Sequence, residues 1–107
     1  MQQTQNQISQ VAQTIFEQLR ATGLKFNMLG VKRMVADTKS LTLKLSGIQK
    51  INTIVIKFDE GEDLYNLEFW NCRVLAREPY VTNEKISEAK GIFWDMMAEL
   101  ISHEVRS

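Results

Sequence analysis

The period of apolar residues changes along this chain, and the changes predict where helix gives way to strand. Ile8, Val11, Ile15 and Leu19 recur at spacings of three and four, with Ala12 and Phe16 widening the stripe. That is one face of an α-helix. Gly23 follows Arg20-Ala21-Thr22, which suits a basic last turn closed by a left-handed cap. The opposite face carries Gln10, Gln13 and Gln18 and reads as solvated polar surface.

From Leu41 onward the period is two. Leu41, Leu43 and Leu45, then Ile54, Ile56 and Phe58, then Tyr65, Leu67 and Phe69 each alternate with polar or smaller residues. Each set puts three large side chains on one face of a strand. Burying such a side chain is worth roughly 1.5–3 kcal/mol, so these nine are expected to dominate the core. An earlier strand is predicted from about Lys25 to Val35, with Gly30 marking a bulge or a close backbone approach where Phe26, Met28, Val31 and Met34 lose strict alternation. Asp37 to Ser40 and Ser46-Gly47 read as turns. Asp59-Glu60-Gly61-Glu62 reads as a tight hairpin with Gly61 at positive φ. Arg77-Glu78-Pro79-Tyr80 is expected to end the sheet, since proline cannot donate to a ladder.

The last helix is predicted to start at Thr82 or Asn83, both good N-caps, with Glu84 in its first turn. Ile86, Ala89, Phe93, Met96, Met97, Leu100 and Ile101 form its stripe. Gly91 is a place for a break, and Ile92 to His103 is the firm part. The expected fold is therefore α+β. It is a four-stranded antiparallel meander with an N-terminal and a C-terminal helix packed on one face, and Lys44, Lys57 and Glu68 on the other. Residues 1–107 form a single domain, with 1–4 and 105–107 frayed.

Composition narrows the class. A hydrophobic fraction of 44% with 24% charged residues excludes disordered and fibrous chains. The apolar runs are too short to span a bilayer and no signal peptide is recognised, so a cytoplasmic location is expected. Cys72 is the only cysteine, which leaves no intrachain disulfide and no CxxC zinc pair.

The net charge of zero conceals a split. Arg20, Lys25, Lys32, Arg33, Lys39, Lys44, Lys50 and Lys57 face only Asp37 between residues 20 and 57, whereas residues 58–107 hold eleven acids and five bases. Such a split marks a surface for an anionic partner, or basic and acidic strands lying side by side.

Few arrangements suggest chemistry. His103 is the only histidine, and a nucleophile pair would require Cys72 to meet it. There is no Gly-rich phosphate loop, GxSxG or HExxH. The run Asp59 to Asp63 lacks the alternating ligands and distal glutamate of a calcium loop. No catalytic residue, cofactor or metal is therefore predicted. Lys32, Arg33, Lys44 and Lys57 form a candidate basic surface for nucleic acid, with Trp70 as a stacking platform. Trp70 falls opposite Tyr65, Leu67 and Phe69 on its strand. With Leu64, Cys72 and Val74 it makes a second apolar strip, a candidate partner interface. Either a second chain covers that strip, or the Arg77–Val81 loop does.

Lys25-Phe26 with Met28, Gly30 and Lys32, then Leu41-x-Leu43-x-Leu45, Asn52-x-Ile54-x-Ile56, and Asp63-Leu64-Tyr65 with Phe69 and Arg73 form an ordered series. Together with Gly91-Ile92-Phe93-Trp94-Asp95-Met96, this series resembles a group of small proteins from bacteriophages and integrated mobile elements. The likeness spans residues 15–101 and departs at Ser102-His103-Glu104, where the group often has Thr-Gly. It implies a helix–meander–helix fold and an accessory protein working in the host cytoplasm. The expected function is a non-enzymatic protein-binding module, a homodimer or a blocker of a host factor. The alternatives are a nucleic-acid-binding module built on residues 20–57, and an enzyme or small-ligand sponge whose site forms only in three dimensions.

Overall fold

Leu41, Ile56, Leu67 and Ala89 stand side by side across four strands, and Leu43, Ile54, Phe69 and Ser87 form the next row. These rows come from a computed structural model that describes residues 2–46 and 50–106, with side chains from 10 to 46 and 50 to 105. The chain runs α1 (Gln2–Ala21), a one-turn α2 (Phe26–Leu29), β1 (Val31–Ala36), β2 (Ser40–Leu45), β3 (Thr53–Asp59), β4 (Leu64–Val74) and β5 (Val81–Ile92). A 3-10 turn (Trp94–Met96) then leads into α3 (Met97–Arg106). The strands form one antiparallel meander in the order β1-β2-β3-β4-β5.

Period-two alternation sends the large side chains of β2, β3 and β4 to a common face. There they form one cluster with Ala12, Ile15 and Leu19 of α1 and Met97, Ala98 and Ile101 of α3. Eight of the nine predicted core side chains are buried, and Phe58 is half-buried against Tyr65. The α1 cap also forms as expected. Gly23 has φ 97°, its N–H donates to the Arg20 carbonyl, and Leu24 N–H donates to the Leu19 carbonyl. This double bond closes the helix and buries Leu24 beneath it.

Several expectations are corrected. Residues 25–35 are not one strand: Phe26–Leu29 make a helical turn, and Gly30 at φ 80° caps it rather than forming a bulge. A register shift does occur just beyond, between Val31 and Arg33. In the β3–β4 hairpin the left-handed residue is Asp63, φ 55°, not Gly61. Asp59 Oδ1 accepts from the Gly61 and Glu62 amides and so fixes the turn.

The largest correction concerns residues 81–92, which form a fifth strand instead of the start of the last helix. Four strands would have left β4 as an edge, with the unpaired amides of an eleven-residue strand exposed. Pairing with β5 from Val74↔Val81 to Tyr65↔Ile92 satisfies them. Arg77 to Tyr80 thus belongs to the β4–β5 turn, with a cis Glu78–Pro79 peptide, and does not end the sheet. Gly91, φ 68°, sits at a bulge: Lys90 and Gly91 together face Asn66, whose Oδ1 accepts the Gly91 N–H at 3.0 Å. The helix shrinks to Met97–Arg106, with Val105 packed against the core. At the other end helix is present from Gln2. Gly47 of the predicted β2–β3 turn lies outside the described residues.

Candidate functional site

Tyr65 shows how the core face is tied together. Its hydroxyl donates to Gln18 Oε1 of α1 at 2.6 Å, so Gln18 is half-buried rather than part of a solvated face. Burial foremost, then the Asp63 charge, pushes the phenol above its ordinary pKa. Ser87 on β5 likewise donates to Glu104 of α3 at 2.7 Å.

The open face carries most of the residues singled out in the sequence. One cross-strand row reads Arg33, Lys44, Thr53, Trp70, Lys85, and the next reads Val35, Thr42, Val55, Glu68, Glu88. Glu68 is the hub. Its Oε1 accepts from the Trp70 indole at 3.0 Å, and its Oε2 lies 3.1 Å from Lys57 Nζ and 3.8 Å from Lys85 Nζ. Burial alone would raise the Glu68 pKa. The Trp70 N–H and the two ammonium groups outweigh it and hold the carboxyl below its usual range. Lys85 Nζ also sits 5.5 Å from the Trp70 ring centroid, a cation–π contact.

Trp70 is therefore half-buried and engaged at both its N–H and its ring. Lys85 holds it, and the Arg77–Tyr80 turn lies farther along the hairpin, past Val74 and Val81. Cys72 and Val74 follow Trp70 on the same face of β4, and Asn66 and Glu68 separate Leu64 from them. Leu64 lies half-buried at the far end of β4, Cys72 is half-buried, and Val74 is 87% exposed beside the hairpin tip.

The basic residues divide. Lys57 belongs to the Glu68 hub. Lys32, Arg33 and Lys44 instead line a groove of about 310 Å³ at the β2–β3 end of the open face, together with Arg73, Cys72, Asn52 and Asn83. Arg73 borders the groove from the other face of β4, where its Nε donates to Asn71 Oδ1 at 2.9 Å.

A second surface lies where β5 meets α3. Phe93 is 59% exposed, Trp94 49% and Met96 52%. A depression of about 550 Å³ adjoins them, lined by Ile92, Met96, Leu100, Glu99, Ser102 and His103. The sequence assigned Phe93 and Met96 to a helical core stripe. They are exposed because residues 81–92 turn out to be strand, which leaves Phe93 to cap the 3-10 turn and Met96 to end it. His103 lines this depression and Cys72 the groove on the open face, so the two do not meet. Among the described residues no three His, Cys, Asp or Glu side chains group as metal ligands. No described helix is long and apolar enough to cross a membrane.

Comparison with protein-family models, curated proteins and solved structures finds no match to the chain.

Proposed function

We propose that this chain is a non-enzymatic binding module that docks another protein through Phe93, Trp94 and Met96. The observation that carries the reading is their shared exposure: three large apolar side chains within four residues, each about half open to water. Isolated exposed hydrophobes are ordinary, whereas contiguous ones mark contact surfaces. Tryptophan is prominent among residues whose truncation costs most of a binding energy. Glu99, Ser102 and His103 border the neighbouring depression and give the apolar centre a polar rim, the usual anatomy of an interface. The reading moves the anchor from Trp70, which its own sheet engages, to Trp94. The likeness of residues 15–101 to small phage and mobile-element proteins supplies the setting: a host protein in the cytoplasm, blocked by occupation of its surface.

The test is affinity capture from nuclease-treated host lysate at high salt, using the wild type and a Phe93→Ser/Trp94→Ser variant. A stoichiometric protein retained by the wild type and lost from the variant is expected. When that protein is purified and added back, the amides of residues 92–103 should gain protection from hydrogen exchange. Equal retention by both chains, or protection confined to the open sheet face, overturns the reading.

A further inference from the structure

The open face holds two like-charged pairs directly opposite one another in the ladder, and they are treated differently. Glu68 faces Glu88, and Lys85 bridges them, with its Nζ 3.8 Å from one carboxylate and 3.2 Å from the other. Arg33 faces Lys44, and among the described residues no carboxylate bridges that pair. Like charges opposite one another destabilise a sheet. The cost is compounded here because Lys32 lines the same groove, and no acid is among its described lining residues. None of these three cations makes an ion pair among the described residues.

The complementary charge lies at the other end of the sheet. The β3–β4 turn, Asp59 to Asp63, is acidic throughout except for Gly61, and Glu60 to Asp63 are exposed. Its only ion pair among the described residues is the solvent-exposed Glu60–Lys39 contact at 3.5 Å. The seven residues of β3 separate turn from groove, roughly 20 Å along the strand, so a molecule's own turn cannot reach its own groove.

We infer that the groove lined by Arg33 and Lys44 receives the Asp59–Asp63 turn of a second copy of this chain. Two copies related by a two-fold axis would make both contacts at once, the closed arrangement that self-complementary surfaces favour. A general polyanion is the poorer occupant. The chain as a whole is neutral, with a pI near 6.6, and its acidic residues would repel a long phosphate backbone beyond the groove.

Sedimentation at low and high salt tests this directly. Wild type is expected to be dimeric at low salt and monomeric near ~1 M salt, where the screening length is ~3 Å. Arg33→Glu/Lys44→Glu and Glu60→Lys/Glu62→Lys should each weaken association at least about tenfold, since each places like charges at both contacts. Mixed, the two variants should form a heterodimer, because each then presents the charge that the other lacks. The single change Arg33→Glu should raise the thermal midpoint of the monomer while it weakens the dimer, since it relieves the repulsion with Lys44. The inference is overturned by a wild type that stays monomeric at low salt, by association indifferent to these reversals, or by a mixture that does not associate. A monomeric wild type that binds a mixed-sequence oligonucleotide through Arg33 and Lys44 overturns it equally, in favour of nucleic acid.

Discussion

The Asn52 side chain pairs with Cys72 as though it were strand backbone. Its Oδ1 accepts the Cys72 N–H at 2.9 Å and its Nδ2 donates to the Cys72 carbonyl at 2.8 Å. Asn52 N–H donates to the Trp70 carbonyl at 3.0 Å, and Asn71 Nδ2 reaches the Lys50 carbonyl at 2.8 Å. Strand β3 begins only at Thr53 while β4 continues to Val74, so these carboxamides lengthen the ladder beyond the end of β3. Asn52 and Cys72 also line the basic groove, so their pairing braces that side of it. Asn52→Ala leaves two part-buried backbone groups without partners and is expected to cost about 1–3 kcal/mol. Urea unfolding measures this, and a loss below a few tenths would mean that water replaces the carboxamide.

Gly91 discriminates between the two readings of residues 81–92. In a helix interior, replacing glycine with alanine would stabilise the protein by up to about 1 kcal/mol. At φ 68° in a bulge, the same change is expected to cost about 1–2 kcal/mol, the penalty of a left-handed backbone for an L side chain. An added Cβ would meet only Leu64 Cδ1, at 3.8 Å, so conformation and not crowding sets the sign. Thermal unfolding of Gly91→Ala gives the answer, and a raised midpoint would contradict the strand.

Glu68 makes stability depend on pH at the acidic end. Its folded-state pKa is held below the ordinary value of 4.5, so protonation favours the unfolded chain. The contribution is complete above about pH 4.5 and is lost as pH falls through the folded-state value. Glu68→Gln keeps an acceptor for the Trp70 indole but removes the charge. It is expected to cost less than about 1 kcal/mol near neutral pH, because Lys57 and Lys85 are solvent-screened partners. It should also flatten the fall in stability below pH 4.5, read from denaturation midpoints across an acid series. An unchanged acid slope would show that other carboxylates set it.

The candidate surfaces were less legible than the strands that carry them. Trp70 was rightly placed opposite Tyr65, Leu67 and Phe69, because alternation along one strand needs no knowledge of its neighbours. That Lys85 covers its ring was not legible, since residue 85 was assigned to a helix. Trp94 and Phe93 were hidden by the same misreading. Ile86, Ala89, Phe93 and Met96 keep a helical period, and Glu88 and Lys90 between them are good helix formers. What overrides that local preference is the demand of β4 for a second hydrogen-bonded neighbour.

The sequence by itself determined the first helix and its glycine cap, the three central strands, the face each turns to the core, and the uneven division of charge. These follow from local periodicity and from the backbone freedom of Gly23, both properties of short stretches of chain. Tertiary structure alone decided that residues 81–92 pair with β4, that Lys57 and Lys85 neutralise Glu68, and that Arg33 stands opposite Lys44. Each of those outcomes depends on which strands lie side by side and in what register. A hydrogen-bond ladder joins residues far apart in sequence, so their meeting leaves no trace in the spacing of either segment.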